Sequence, residues 1–577
     1  MMVSAGSSRA RNDAPRATLV LCTLVALALG LATLGSGYDY DESLQMATIE
    51  EGVGPADMTR LHLWRFSGGD AKSVERSVRD GWLPWWYPSS GSAGVNFFRP
   101  LAAALAVGEV HLFGRNPPLQ HAHSVLWFSL VVAAVYLVYW VLLGTAQSRL
   151  PLWVFVLSGV HWEAVAPICA RHILVATLLS ALGLVFHVRW RSGASRGGLA
   201  LSLLFFALAM LAGETALQMI AYVLCVELAR DTTWLSRLVG AAPLIVLTAV
   251  YIAAYRAAGF GAASSGYLTP AWDMAFLREG AERYIRALQQ QLLTLGDRDL
   301  LSQIEAGPAG FLGIVSLVCV LALITQATLR APEAQRAPLL ALYAAGFLSL
   351  VPAMLAQPGP RLLMVPSIGF SAAIARVIEH GWSRARHWPR LRSGTAFVFG
   401  AALIALVHIA LSPAAFVNGA LGFARRNRSN SAEVWQMTNT ALEVPSRAVV
   451  LWAPPDLNFI WMRALSLSRK FFVLSSTISA PRLTRTAADE LVLDAGDGGW
   501  CPPPERWPDS LCVVEQGRVV ALPDVTLEVL DQAGHGPGRI AVRWKVPPTA
   551  TSWQFVTRHE GQFIPVHLPQ IGASMSL

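Results

Sequence analysis

Apolar runs separated by short polar breaks fill the chain as far as Ser412, near 18–36, 123–143, 151–166, 172–188, 199–213, 215–229, 237–256, 309–328, 338–356, 361–379 and 394–412. Most approach the roughly 18–20 residues that cross a bilayer as a helix. From about residue 429 the pattern changes. Short strand-like runs follow one another, among them "RAVVLWAP", "KFFVLSS", "DELVLDAG", "SLCVVEQGRVVAL", "VTLEVLDQ" and "RIAVRWKV", punctuated by Pro and Gly. That punctuation predicts a small β-rich domain built as a sandwich. The fold class expected is a polytopic α-helical membrane protein of about 11 spans with a C-terminal β-rich domain.

Arginine placement orients the spans, because basic short loops mark the cytoplasmic side. Such loops occur at the N-terminal tail (1–17), at Arg149, and at 189–198, 229–237, 330–336 and 384–392. Long polar loops at 37–120 and 259–308 then fall outside. The segments 150–188, 199–229 and 338–380 are each bounded by basic loops at both ends, so each must cross out and back. Their turns, "HWEAVAPICARH", "AGETALQ" and "AQPGPRL", sit at the outer face. An odd span count places the N-terminus inside and the C-terminus outside, giving a transmembrane domain over 18–428 and an extracytoplasmic domain over 429–577. The run "RRNR" at 425–428 sits oddly in this scheme, just outside the last span.

Composition agrees with a membrane protein: 54% of the residues are hydrophobic and 14% charged, where soluble proteins carry about 25% charged residues. The net charge of +8 comes from arginine, with Lys72, Lys470 and Lys545 the only lysines. In this setting the excess speaks of orientation rather than of nucleic acid. The first run follows Arg9, Arg11 and Arg16 and reads as a signal anchor. Cys22, Cys225 and Cys319 lie in apolar runs as packing residues. Cys501 and Cys512 in an oxidising compartment are candidates for a disulfide, with free thiols as the alternative. No metal-ligand Cys/His spacing is evident.

The inferred topology gathers costly side chains at one rim. Asp39, Asp41 and Glu42 follow the first span in "GYDYDESL". His161, Glu163, Arg171 and His172 lie in the turn of 150–188, Glu214 in that of 199–229 and Arg361 in that of 338–380. Arg99 lies in "VNFFRPL". Ionisable groups at membrane depth usually face a bundle interior or an aqueous cavity. Carboxylates beside arginines suit group transfer from a phosphate-linked donor: a carboxylate takes a proton from a hydroxyl, and arginine forks neutralise a departing phosphate. Structural roles are open for the same residues. Glu42 could be solvated, His161 could pack a helix end, Arg171 could snorkel, and the tryptophans of "GWLPWWYP" could be interfacial anchors or a sugar platform.

Four stretches, in order, resemble motifs of the GT-C superfamily of polyprenyl-phosphate-sugar-dependent membrane glycosyltransferases, in particular the transmembrane and tetratricopeptide-repeat O-mannosyltransferases and their bacterial relatives within the protein O-mannosyltransferase-like group. They are "FFRPL…LFGRNPPLQHAHSVLW", "VHWEAVAPICAR", "LAGETAL" and "PRLLMVPSIGF". The resemblance implies an acidic catalytic base just after the first span. Asp41 stands first, with Asp39 and Glu42 as alternatives. It implies a lipid monophosphate sugar as donor, with Arg171 and Arg361 on its phosphate and His161, Glu163, Glu214 and Arg99 shaping the pocket. A divalent metal is compatible with this scheme and not required by it. Ser158-Gly159, Ile173, Gly213 and Pro360 stand where the group has His-Pro, Asp, Lys and Glu. Tetratricopeptide repeats are replaced by the β-rich tail. The function expected is sugar transfer to a protein or glycan hydroxyl outside a bacterial inner membrane, with membrane lipids and a lipid-linked donor as partners. A transporter or flippase, and a GT-C-like scaffold without activity, are the other readings.

Overall fold

The computed structural model describes residues 7–577 apart from 53, 55–57, 69, 81, 87–93, 264–266, 269–272, 295–307, 387–394, 441–446, 453–469, 476–479, 497–499, 501–513, 534–535, 549–552 and 561. The chain forms two compact units. The first comprises Met1–Gly37, Arg99–Ala258 and Pro270–Ala424; the second comprises Tyr38–Phe98, Gly259–Thr269 and Arg425–Leu577.

The first unit is helical. Among the described residues eight helices are long and apolar enough to cross a membrane: Arg16–Thr33, Pro117–Leu143, Ile168–Arg191, Trp234–Ala257, Leu312–Leu329, Glu333–Ala353, Pro360–Ala385 and Thr395–Ser429. The chain is a multi-pass membrane protein. Helices form because lipid offers the backbone no hydrogen-bond partner outside the segment itself.

Four places differ from the pattern read off the sequence. The run expected to span at 151–166 breaks into helix Arg149–Val156, a 3-10 turn Gly159–His161, a short helix Trp162–Val165 and a second 3-10 turn Ile168–Ala170. Extended backbone at Ser158 (ψ 123°) and Pro167 (ψ 129°) interrupts it. The run at 215–229 likewise starts as a 3-10 turn, Glu214–Met219, before helix Ile220–Leu228. Part of the expected outer loop is an apolar helix, Pro100–Phe113, with proline in its first turn and Gly114 (φ 59°) closing it. The last run does not stop at 412. Helix Thr395–Ala405 passes through a π turn, Leu406–Leu411, into helix Ser412–Thr440. Pro413 cannot donate to the carbonyl four residues back and its ring pushes that carbonyl away, which produces such a bulge. "RRNR" is therefore helical rather than a loop after a span.

Small residues and tyrosines lock this bundle. A Cβ on Gly369 would lie 2.1 Å from the Leu342 carbonyl oxygen, so the helices Glu333–Ala353 and Met364–Ala385 touch through their backbones. The Tyr222 hydroxyl donates to the Val365 carbonyl (2.8 Å) and accepts from the Gly369 N–H (2.8 Å), tying helix Ile220–Leu228 to helix Met364–Ala385. Away from these crossings, buried Glu227 accepts from His187 (2.9 Å) and from two nitrogens of Arg191 (2.9 Å each). A Cβ on Gly240 would meet that carboxylate at 2.5 Å, so only glycine admits the network there.

The second unit is β-rich. Strands β1 (Arg65–Gly68), β2 (Gly94–Asn96) and β3 (Gly261–Ala263) form a small sheet. The remaining strands are β4 (Arg447–Trp452), β5 (Lys470–Val473), β6 (Arg482–Ala487), β7 (Glu490–Asp494), β8 (Val519–Ala521), β9 (Val525–Gln532), β10 (Pro537–Trp544), β11 (Gln554–His559), β12 (Gln562–Val566) and β13 (Ser574–Ser576). They make a six-stranded antiparallel sheet, β13-β6-β7-β10-β9-β8, and a four-stranded sheet, β12-β11-β4-β5, in which β4 runs parallel to both neighbours. Alternation places Val525, Leu527 and Val529 of β9 inside, with Thr526 and Glu528 between them. Both sheets contribute to one core that also takes in Trp85, Trp86 and Trp500. The Trp85 and Trp500 indole N–H groups both donate to the Leu474 carbonyl, at 3.0 and 3.1 Å. Trp82 is buried with Leu44 and Met58. The described tryptophans of "GWLPWWYP" are thus core residues, neither membrane anchors nor a sugar platform. Cys501 and Cys512 lie outside the described residues.

Candidate functional site

The acidic stretch after the first span is built by helix capping. Asp39 is the N-cap of helix Tyr40–Glu51. Its Oδ1 accepts from the Tyr40 N–H (2.7 Å), and Glu42 Oε2 accepts from the Asp39 N–H (2.7 Å). This is a reciprocal capping box, which satisfies backbone donors that the first turn of a helix leaves orphaned. Two of the three carboxylates are therefore engaged in starting the helix, and Glu42 is buried. Burial raises the Asp39 carboxyl above its ordinary value, opposed by the Tyr40 N–H and by the field of Arg426. Asp41 lies in the first turn and is partly exposed. The sequence carried this signal as Asp39-x-x-Glu42. Arg426, which the span count left as an oddity, is a charge partner of that segment.

A second group of residues comes together inside the helical unit, at the turns where helices begin. Glu163, on the short helix Trp162–Val165, accepts from Arg361 twice: from its backbone N–H (3.0 Å) and from Nη1 (2.8 Å). Arg99, immediately before helix Pro100–Phe113, donates to Glu214 Oε2 (2.8 Å), and the Tyr255 hydroxyl donates to Glu214 Oε1 (2.9 Å). His172 lies in the field of both Arg99 and Arg361 and donates from Nδ1 to the Cys169 carbonyl (2.9 Å). Two extended glycines make room. A Cβ on Gly213 would come within 3.0 Å of the His172 ring, and one on Gly359 within 2.7 Å of Glu163 Oε2. The cluster is half-open, with Arg361 and Glu163 side chains 29% and 18% exposed.

Arg171 belongs to a different, sealed cluster. Its guanidinium donates to Glu109, to Ser124 Oγ (3.0 Å) and to the Gln120 carbonyl (2.7 Å). The Arg171 and Glu109 side chains are 7% and 2% exposed. His123 completes the set. Its Nε2 accepts from the Trp127 indole (2.9 Å), so its Nδ1 carries the proton donated to Glu109 (3.0 Å). His121 Nε2 donates to the Gly37 carbonyl (2.9 Å). The expected phosphate contact of Arg171 thus meets a guanidinium already surrounded by acceptors. His161, expected to shape the donor pocket, is fully buried between Phe128 and Phe155, and its Nε2 donates to the Phe155 carbonyl (3.0 Å). Glu109 was missed, because the helix that carries it read as loop.

The departures at Ser158-Gly159 have a local explanation. The Gly159 N–H donates to Ser412 Oγ (2.7 Å), and a Cβ at 159 would lie 2.7 Å from the Ser412 carbonyl. Ile173 is buried in the helical core. Among the described residues no group of three His, Cys, Asp or Glu side chains is placed to hold a metal ion.

No protein-family model matches the chain, and no curated protein does. Among solved structures it is similar to ArnT from Cupriavidus metallidurans in the apo state, at 14% identity over 80% of this chain and 86% of that one, with a TM-score of 0.40. ArnT bound to undecaprenyl phosphate scores 0.39. The arabinofuranosyltransferase AftD from Mycobacteria is 15% identical over 92% of this chain and 40% of its own, with a TM-score of 0.44. The functional reading rests on the residues of the chain itself.

Proposed function

We propose that the protein is a GT-C-type membrane glycosyltransferase. It moves a sugar, in the manner of a mannosyltransferase, from a polyprenyl-phosphate donor to a hydroxyl of a protein or glycan on the extracytoplasmic side of a bacterial inner membrane. One observation carries this reading. The four family-like stretches, far apart in sequence, each send a charged residue to the same half-open cluster: Arg99, Glu163 with His172, Glu214, and Arg361.

Arg361 and Arg99 supply guanidinium donors for the donor phosphate, and such charge-assisted bonds are the strong ones. Asp41 is the base. It takes the proton of the acceptor hydroxyl as that oxygen attacks the anomeric carbon. The anomeric C–O bond breaks with its electron pair going to the polyprenyl phosphate, whose developing charge the arginines neutralise. Direct displacement inverts the anomeric configuration. Asp39 and Glu42 hold the helix that presents Asp41, and Arg171 is structural.

Reconstituted protein supplied with a panel of labelled polyprenyl-phosphate sugars tests this. Transfer to acceptor is expected, and Asp41→Asn should lower kcat by about 10²–10⁴-fold, the usual contribution of a positioned base. No donor consumed across the panel, or a variant as active as the parent, overturns the reading.

A further inference from the structure

The open ion pair holds the same donors that an incoming phosphate needs. Glu163 spans Arg361 with both oxygens: Oε2 takes the backbone N–H at 3.0 Å and Oε1 takes Nη1 at 2.8 Å. We propose that Glu163 is an internal competitor for the anion that Arg361 binds. It masks Arg361 in the resting conformation and yields when a lipid phosphate arrives. This rests on the donor reading above.

Three observations carry it. The pair is accessible, with 29% of the Arg361 and 18% of the Glu163 side chain exposed, and ion pairs reached by solvent contribute little net stability. Water reaching the pair lowers the cost of displacing Glu163 below that of displacing Glu109 from Arg171, which lies sealed from solvent. The pattern also repeats: Arg99 is masked in the same way by Glu214, which the Tyr255 hydroxyl holds at 2.9 Å. Each cation is thus neutralised by a carboxylate, as apolar surroundings demand. The sugar donor is a phosphate diester with a single charge, matching that of the carboxylate, while the polyprenyl monophosphate left by transfer carries roughly −1.5 to −2 at pH 7 and competes better for the same donors.

The third observation is Gly359. Its backbone is extended (φ 174°, ψ 153°), a conformation any residue adopts, so glycine is not required there by backbone geometry. It is required by space. A Cβ would lie 2.7 Å from Glu163 Oε2 and 3.2 Å from Oε1, the far end of a flexible side chain. A methyl group at 359 would push Glu163 off Arg361 while leaving every charge in place.

The test is the affinity of the full-length protein in nanodiscs for farnesyl monophosphate, with farnesol and inorganic phosphate as separate arms. Glu163→Gln and Gly359→Ala should each tighten farnesyl monophosphate binding by about 5–10-fold, the low end of ordinary coupling between competing states. Arg361→Gln should abolish the gain. The farnesol arm should not change, and a gain seen only with inorganic phosphate would identify the headgroup alone as the ligand. If the parent binds and neither variant binds more tightly, or if farnesol gains equally, Glu163 is not a competitor and the inference falls while the donor reading stands. If neither parent nor variants bind farnesyl monophosphate, both fall. Gly359→Ala guards the result, because its gain cannot come from removing a negative charge.

Discussion

Two of the arginine–carboxylate pairs within the helical unit, Arg171–Glu109 and Arg361–Glu163, differ in everything but chemistry. Arg171–Glu109 is sealed, and Ser124 and the Gln120 carbonyl take further donors of the guanidinium. Arg361–Glu163 is partly open and joined by one carboxylate to both main chain and side chain. A guanidinium sealed from solvent is out of a substrate's reach. A half-open one is within reach. The difference separates a sealed pair from one that solvent reaches, although both arginines lie in motifs that look equally functional in sequence.

The largest effect expected on this comparison comes from breaking the sealed pair. Arg171→Gln or Glu109→Gln leaves a charge buried without its partner, which destabilises by about 3–5 kcal/mol. Size-exclusion profiles of the detergent-solubilised protein should show loss of the monodisperse peak. The double change Arg171→Met with Glu109→Leu should recover much of it, since apolar replacement of both partners is often tolerated. Recovery of transfer activity in that double variant would sharpen the point further, for it would exclude Arg171 from the chemistry.

A smaller effect is expected at Gly159. Installing proline, as the resembled group has, removes the N–H given to Ser412 and adds atoms against the Ser412 carbonyl. An unmade buried bond of this kind costs about 1–3 kcal/mol, readable as a lower thermal midpoint. Combining Gly159→Pro with Ser412→Ala should not restore the parent, because the backbone clash remains.

The smallest effect is a pH dependence. Burial raises the Asp39 carboxyl above its ordinary range. A carboxyl that holds its proton more tightly when folded lends stability that is fully present below its unfolded value and is lost as pH rises through the raised one. The second unit should therefore weaken across that window. Asp39→Asn keeps an N-cap acceptor and should flatten the slope. An unchanged slope would place the titration elsewhere.

Much of the architecture was legible because apolar length and period-two alternation are local signals. The expected spans at 123–143 and 361–379 lie within the helices Pro117–Leu143 and Pro360–Ala385, and the strands β9 and β10 formed where the pattern placed them. The breaks at Pro167, Gly213 and Gly359 fall in the expected turns, but the break at Ser158 and the 3-10 form of Glu214–Met219 were not legible. A 3-10 turn with apolar neighbours has the composition of a span, and what stops the helix is backbone conformation. The capping box was legible and was read as an acid cluster, since the same Asp-x-x-Glu serves both. The pairings were hidden for a different reason. Whether Arg171 meets Glu109 or a phosphate is decided by packing between distant helices, and His161 looks the same in sequence whether it faces a cleft or two phenylalanines.

The most direct measurement sets the two arginines side by side. Arg361→Gln and Arg171→Gln are purified in parallel, with the apparent KM for the polyprenyl-phosphate sugar and the fraction of monodisperse protein recorded for each. Losing a charge-assisted bond to the donor, worth about 1.5–3 kcal/mol, should raise the KM of Arg361→Gln by roughly tenfold or more while its recovery matches the parent. Arg171→Gln should lose folded protein, with an unchanged KM in whatever remains. A well-folded Arg171→Gln with a raised KM, beside an Arg361→Gln that binds donor normally, would contradict the account.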